Sequence, residues 1–309
     1  MVVRQPMRVA VIDCGTNSIR LLIADVSGEN FREITRDMEI VRLGQGVDKT
    51  GQFHPDAITR TLSAVDKYAS EIARRGVEKI RFCATSATRD ATNRQLFIDG
   101  VVERLGIAPE VISGEEEAFL SFTGATKELP DSFAPFLVID IGGGSTEFVL
   151  GNRKVIAAKS VNIGCVRMSE RHFLHDPATA SEIESARKDI QNAIMEASRQ
   201  VDIKGANSLI AVAGTATTVA AAALELPAYD RHSIHLARIS AEKTHEVSEM
   251  FLRINRSERA SLGYMHPGRV DVIGAGSLVL SEIMRATGAK EFIASESDIL
   301  DGMAWSLGQ

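Results

Sequence analysis

The chain has 309 residues, 44% of them hydrophobic and 25% charged, and a formal net charge of −6. That length suits two domains of about 150 residues each, and the acidic balance argues against broad nucleic-acid binding, so an anion site must be a local arrangement of Arg, Lys and loop amides. No apolar stretch reaches the length of a membrane span, the residues before Arg8 carry no apolar leader segment, and Cys14, Cys83 and Cys165 lie far apart, as expected of a reduced, cytoplasmic protein.

In chain order, strand-like runs cover residues 8–13, 19–25, part of 31–43, 80–84, 136–140, 146–150, 154–161, 209–213 and 291–294. Helices fill the intervals, an α/β alternation. Pro55 opens one helix, with Ile58, Leu62, Val65, Ala69 and Ile72 on one face until Gly76 stops it. A second runs over 181–201 with Ile183, Ala186, Ile190, Ala193, Ile194 and Ala197 inward, and an apolar helix covers 218–226. A further apolar helix near Val272, Val279, Leu280 and Ile283 suits a core or a homodimer equally. Residues 129–135 hold two prolines and no periodicity, which places the domain boundary there: domains 1–128 and 129–309, with a final helix able to pack back on the first.

One segment occurs twice, as Val11-Ile12-Asp13-Cys14-Gly15-Thr16-Asn17-Ser18 and as Val138-Ile139-Asp140-Ile141-Gly142-Gly143-Gly144-Ser145. Both copies read as strand-turn-strand hairpins. A turn of Gly15, Thr16, Asn17 and Ser18, or of Gly142, Gly143, Gly144, Ser145 and Thr146, offers the backbone N–H groups and hydroxyls that a phosphate needs. Asp13 and Asp140, ionised at neutral pH, are placed to hold a hydrated divalent cation. Counted from the shared Asp, Arg20 in the first copy falls opposite Glu147 in the second. An acid beside a phosphate is unfavourable unless it holds a cation or activates water, so Glu147 is both a metal and a catalytic candidate. The duplication resembles the actin, sugar kinase and Hsp70 ATPase architecture, two ribonuclease H-like domains with an interdomain cleft.

Other candidates lie outside the repeat. Ser86 and Arg89 follow the strand at 80–84, where α/β proteins bind ligands, and a guanidinium there can take two phosphate oxygens. Arg94, Arg167 and Arg269 are secondary candidates for guiding a polymeric anion. In the run Ser113-Gly114-Glu115-Glu116-Glu117-Ala118, Ser113 and Glu116 fit a capping box and Glu115 fits the surface. Gly214 and Thr215, with Thr217, follow a strand; they bind a base, bind another phosphate, or tighten a turn, and no aromatic residue is near them in sequence. The pairs His172/His175 and His232/His235 lack a nearby Cys or a Glu-x-x-His frame and read as surface or core histidines.

These motifs, together with Ala84-Thr85-Ser86-Ala87-Thr88-Arg89-Asp90-Ala91, Gly164-Cys165-Val166-Arg167, Ala213-Gly214-Thr215-Ala216-Thr217 and Pro267-Gly268-Arg269-Val270-Asp271, occur in one order along nearly the whole chain. In that order they resemble the exopolyphosphatase/guanosine pentaphosphate phosphohydrolase family, in its short two-domain form. The resemblance implies a phosphoanhydride hydrolase that removes terminal phosphate from inorganic polyphosphate, shorter chains being handled well, or the 5′ γ-phosphate from guanosine pentaphosphate. It implies Mg²⁺, with Mn²⁺ as a substitute, and Glu117 as general base by its place before Ala118. A noncatalytic sensor of polyphosphate or nucleotide is the reading of another class.

Overall fold

A computed structural model describes residues 6–28 and 30–308. The chain divides into two compact units, Met1–Gly124 with Ile299–Gln309, and Ala125–Asp298. The proline-bearing segment at 129–135 therefore falls just inside the second unit, and the last helix belongs to the first.

The first unit is built on strands β1 (Met7–Cys14), β2 (Ser18–Ser27), β3 (Asn30–Ile40), β4 (Lys79–Ala84) and β5 (Glu110–Val111). Their order in the sheet is β3-β2-β1-β4-β5, an antiparallel meander continued by two parallel strands. The second unit has β6 (Phe136–Ile141), β7 (Thr146–Gly151), β8 (Val155–Val161), β9 (Ser208–Val212), β10 (Arg238–Ser240) and β11 (Glu291–Ala294), ordered β10-β11-β9-β6-β7-β8. Read from the other edge, β8-β7-β6-β9-β11 repeats the first sheet, and β10 adds an antiparallel edge. Each unit thus has the ribonuclease H-like topology, and the pair is the duplicated actin-like ATPase fold expected from the repeat. Strands β5 and β10, of two and three residues, are too short to leave an alternation pattern and were not expected.

Both faces of the central strands are covered, which is why they read as continuous apolar runs. In β1, Ala10, Ile12 and Cys14 face a core with Ala64, Val65, Tyr68 and Phe97. Val9 and Val11 face Leu300, Met303 and Trp305 of the last helix, Ile299–Leu307. The helix Pro55–Arg75 is capped by His54 and by Gly76 at φ +64°. Its buried stripe is Ala57, Thr61, Ala64, Val65, Tyr68 and Ile72, rotated from the expected one so that Ile58 and Leu62 sit at its edge. Tyr68 draws the stripe inward, its hydroxyl donating to the Ile19 carbonyl at 3.0 Å.

In the second unit the helix Ala180–Ser198 starts in a Thr179/Glu182 capping box. The helix Ile273–Thr287 is inside the core: Val279, Leu280 and Ile283 are fully buried. Its apolarity, which left a dimer open, is accounted for by its own unit. No described helix is long and apolar enough to cross a membrane.

Candidate active site

The two hairpin loops are built alike. In the first, Gly15 N–H donates to the Ser18 carbonyl at 2.9 Å, and in the second Gly142 N–H donates to the Ser145 carbonyl at 3.0 Å. The carbonyl oxygens between are held by a later segment of the same unit. Gly44 N–H takes the Thr16 carbonyl, and Val41 and Arg42 take that of Asn17. In the second loop Cys165 takes Gly142, Val166 and Arg167 take Gly143, and Gly164 takes Gly144. Arg167 adds a side-chain bond, Nε to the Gly144 carbonyl at 2.7 Å. With these carbonyls engaged, an incoming anion is spared their repulsion.

Both anchors need a glycine. A Cβ on Gly44 would sit 2.3 Å from Thr16 Cγ2, and one on Gly164 would sit 2.2 Å from the Gly143 carbonyl carbon. Arg42 makes its bond to the Asn17 carbonyl at φ +51°, a conformation that non-glycine residues rarely hold. Not every hydroxyl of the loops is available: Thr146 Oγ1 donates to the Ile163 carbonyl at 3.0 Å.

The charge exchange read from the sequence lies in one register row of each sheet. Asp13 pairs with Arg20 across β1–β2, and Arg20 with Met38 across β2–β3. In the second sheet Asp140 pairs with Glu147, and Glu147 with Ser160. Arg20 donates to Asp13 Oδ2 from Nη2 at 2.7 Å and Nε at 3.1 Å. Glu147 is 0% exposed and accepts from Ser160 Oγ at 2.7 Å. No group of three His, Cys, Asp or Glu side chains suited to a metal occurs among the described residues. Mg²⁺ keeps several waters and leans on substrate phosphates, so one or two carboxylates suffice. Asp140 and Glu147 fit that donor set, whereas Asp13 spends Oδ2 on a guanidinium.

In the first unit Thr85 N–H bonds the Cys14 carbonyl, which sets Ser86 beside the first loop at the start of the short helix Ser86–Asp90. Arg89 of that helix reaches Glu117 Oε2 at 2.8 Å and the Ile112 carbonyl at 2.9 Å. Glu117 is 9% exposed, on the helix Gly114–Thr126. The neighbouring acids divide as expected in exposure, Glu115 and Glu116 facing solvent. Only half of the capping box forms: Ser113 Oγ accepts from Glu116 N–H at 3.1 Å, but the Glu116 carboxylate pairs with Arg81 at 2.6 Å. Arg81 from β4 is the stronger partner, being cationic.

The Gly214 motif differs most from expectation. The helix expected from 218 starts at Ala213, at φ +66°, so Gly214 and Thr215 lie in its first turn. Alanine-rich sequence extended the helix backward past the small residues that read as a loop. Arg269 covers Gly214, where a Cβ would sit 2.5 Å from its guanidinium carbon, and donates to Thr218 Oγ1 at 3.1 Å. Thr215 packs against Gly276 and Cys165, and burial pushes the Cys165 thiol up. An aromatic is close in space though not in sequence: Tyr229 hydrogen-bonds Thr217 and Glu296, and burial raises its hydroxyl to about 12. Glu296 is raised as well, by burial first. The histidines serve structure, His172 with Asp189 and Ser185, His175 with Glu182, and His235 with the Glu296 amide.

The model of the Ppx/GppA phosphatase family matches residues 22–307. The chain belongs to that family. The expected enzyme class, a phosphoanhydride hydrolase, is the family's. Exopolyphosphatase 2 of Mycobacterium tuberculosis (strain CDC 1551 / Oshkosh) is 47% identical over 97% of this chain and 98% of its own length. The guanosine-5′-triphosphate,3′-diphosphate pyrophosphatase of Photobacterium profundum is 30% identical over 67% of this chain and 41% of its own. A crystal structure of an exopolyphosphatase-like protein, 43% identical, covers 98% of this chain and 99% of its own with a TM-score of 0.94.

Several contacts of the site were missed in the sequence. Ser160 joins Glu147 only through the β7–β8 register, and Tyr229 joins the Gly214 motif through the fold of the loop after its helix.

Proposed function

We propose that the protein is an exopolyphosphatase, hydrolysing the terminal phosphoanhydride of inorganic polyphosphate to release orthophosphate. The observation that carries this is the Asp140–Glu147 pair, two buried carboxylates on paired strand positions at the foot of a glycine loop whose carbonyls are held back. A divalent cation, Mg²⁺ or Mn²⁺, would be held by Asp140 and Glu147, with Asp13 as the remaining candidate, and would neutralise charge on the phosphate oxygens. In the first unit the loop amides at 16–18 bind phosphate, with Ser86 beside them, and in the second the amides at 143–145 do the same, those of Gly15 and Gly142 being spent on closing their loops.

Glu117 orients a water and takes its proton, and Arg89 holds that carboxylate by its 2.8 Å bond. The water oxygen forms the new bond to the terminal phosphorus as the bridging P–O bond breaks, leaving a polyphosphate one unit shorter. Because Glu117 is a carboxylate set by a fixed guanidinium, Glu117→Gln lowers kcat by about 10²- to 10⁴-fold with the native fold retained. Phosphate release from short polyphosphate, with and without Mg²⁺, measures it; near-native turnover of the variant rejects the assignment.

A second reading, guanosine pentaphosphate 5′-phosphohydrolase, draws support from Tyr229, whose ring lies beside the Gly214 motif and offers a purine a stacking face. Assaying both substrates side by side separates the two. Binding without release of phosphate from either would leave a sensor.

A further inference from the structure

We propose that Ser160 is a positioning residue that holds Glu147 in place for a divalent cation, an inference that rests on the reading of the Asp140–Glu147 pair above. The row Asp140, Glu147, Ser160 crosses three adjacent strands at paired positions. Neighbours so paired lie on one face of the sheet, with Cβ atoms about 4.5–5.5 Å apart, so Ser160 is the next side chain along from the acid. Its Oγ donates to Glu147 Oε1 at 2.7 Å.

The energetics give the bond a purpose. Glu147 is fully buried, and a buried carboxylate is costly without donors. A hydroxyl supplies one without neutralising the charge that a cation requires. Arg20, in the corresponding row of the first unit, does the opposite: it meets Asp13 with a full positive charge, and the third place in that row is Met38, which has no donor to offer. Partners such as Ser160, outside the ligands themselves, fix the orientation of a ligating carboxylate, and their loss typically costs roughly 10- to 100-fold in metal affinity.

The test is Mn²⁺ binding to the full chain without substrate, read from the electron paramagnetic resonance of free Mn²⁺, for the wild type, Ser160→Ala, Ser160→Thr and Glu147→Gln, with thermal melting alongside. Ser160→Ala weakens Mn²⁺ by roughly 10- to 100-fold, and Ser160→Thr, which keeps the hydroxyl, restores it. Glu147→Gln weakens binding at least as much as Ser160→Ala. A Ser160→Ala protein that melts lower but binds Mn²⁺ like the wild type overturns the proposal, since a purely structural serine behaves so. It is also overturned if Thr fails to rescue, or if the wild type binds no Mn²⁺. Phosphate release is scored separately: serine-dependent Mn²⁺ binding in a protein that releases no phosphate defeats the hydrolase reading and leaves this one standing.

Discussion

The hairpins β1–β2 and β6–β7 share a backbone plan and differ in the row of side chains beneath the loop. Each has an Asp before its loop, a Gly-to-Ser bond closing that loop, and a later glycine that lets the chain anchor the loop carbonyls. Across from the Asp stands Arg20 in one and Glu147 in the other. Duplication preserved what makes a phosphate loop, while the row beneath it diverged: one half sets an Arg across from its Asp, the other a Glu. A closed pair adds rigidity. A carboxylate pair with a neutral hydroxyl donor is a place for a cation.

Writing the first row into the second breaks the comparison most severely. Glu147→Arg sets a guanidinium against Asp140 and reproduces the Asp13–Arg20 arrangement; kcat is expected to fall by roughly 10³-fold or more, the scale of losing transition-state charge stabilisation. Because a buried position tolerates the larger side chain poorly, Glu147→Gln, nearly isosteric, is measured beside it and loses about 10²-fold or more with the native fold retained. Turnover within a few-fold of wild type in the Gln protein would sink the assignment of the second row to chemistry.

The anchors give a smaller, graded effect. A methyl on Gly164 meets the backbone of Gly143, whereas one on Gly44 meets the end of the Thr16 side chain at 2.3 Å and Ala87 Cβ at 3.0 Å. Around Gly164 every close atom is backbone, whereas around Gly44 the Thr16 methyl can rotate aside though the Thr16 and Ala87 Cβ atoms cannot. Gly164→Ala is expected to cost about 1–3 kcal/mol and to raise KM for polyphosphate by displacing the second loop, and Gly44→Ala less on both counts. Urea denaturation and steady-state kinetics on the two proteins check the order; a reversed order says the loops are anchored otherwise than through these glycines.

Much of this was legible before the structure because it is written in short-range pattern. The repeated Asp-x-Gly, the apolar runs of central strands and the residue count between Asp13 and Arg20 or Asp140 and Glu147 all survive in one dimension, and a tight hairpin turns that count into cross-strand pairing. What was hidden depends on contacts distant in sequence. Tyr229 reaches Thr217 through an irregular loop, Gly44 and Gly164 serve loops that precede them by more than a strand, and Arg269 lies on Gly214 from the far end of the unit. The start of the helix at Ala213 was hidden for a different reason: a residue at φ +66° carries no signature when it is alanine. Glu116 looked committed to a capping box until Arg81, on another strand, competed for it.

The far ends of the hairpins sharpen the same contrast with the smallest effect. Twelve residues past its Asp the first hairpin has Asp25, where the second has Asn152, and five before it Arg8 stands where the second has Pro135. Arg8 donates to Asp25 at 2.7 Å, and that bond, opposed by burial and helped by Arg32, holds the Asp25 carboxyl at about 2, below its ordinary 3.8. A carboxylate whose folded value is depressed contributes stability that is present above its unfolded value and is lost as pH falls through the folded one. Here the window is from about pH 4 down to about pH 2, and the contribution at neutral pH, reduced by solvent screening around the partly exposed Arg8 and the exposed Arg32, is about 1 kcal/mol. Asp25→Asn removes the charge, so the wild type exceeds the variant by about that amount at pH 7, with the gap closing as pH drops through the window. Urea unfolding of both proteins at a series of pH values reads it, and a gap that stays constant down to the bottom of the window means the charge at Asp25 adds nothing that Asn does not.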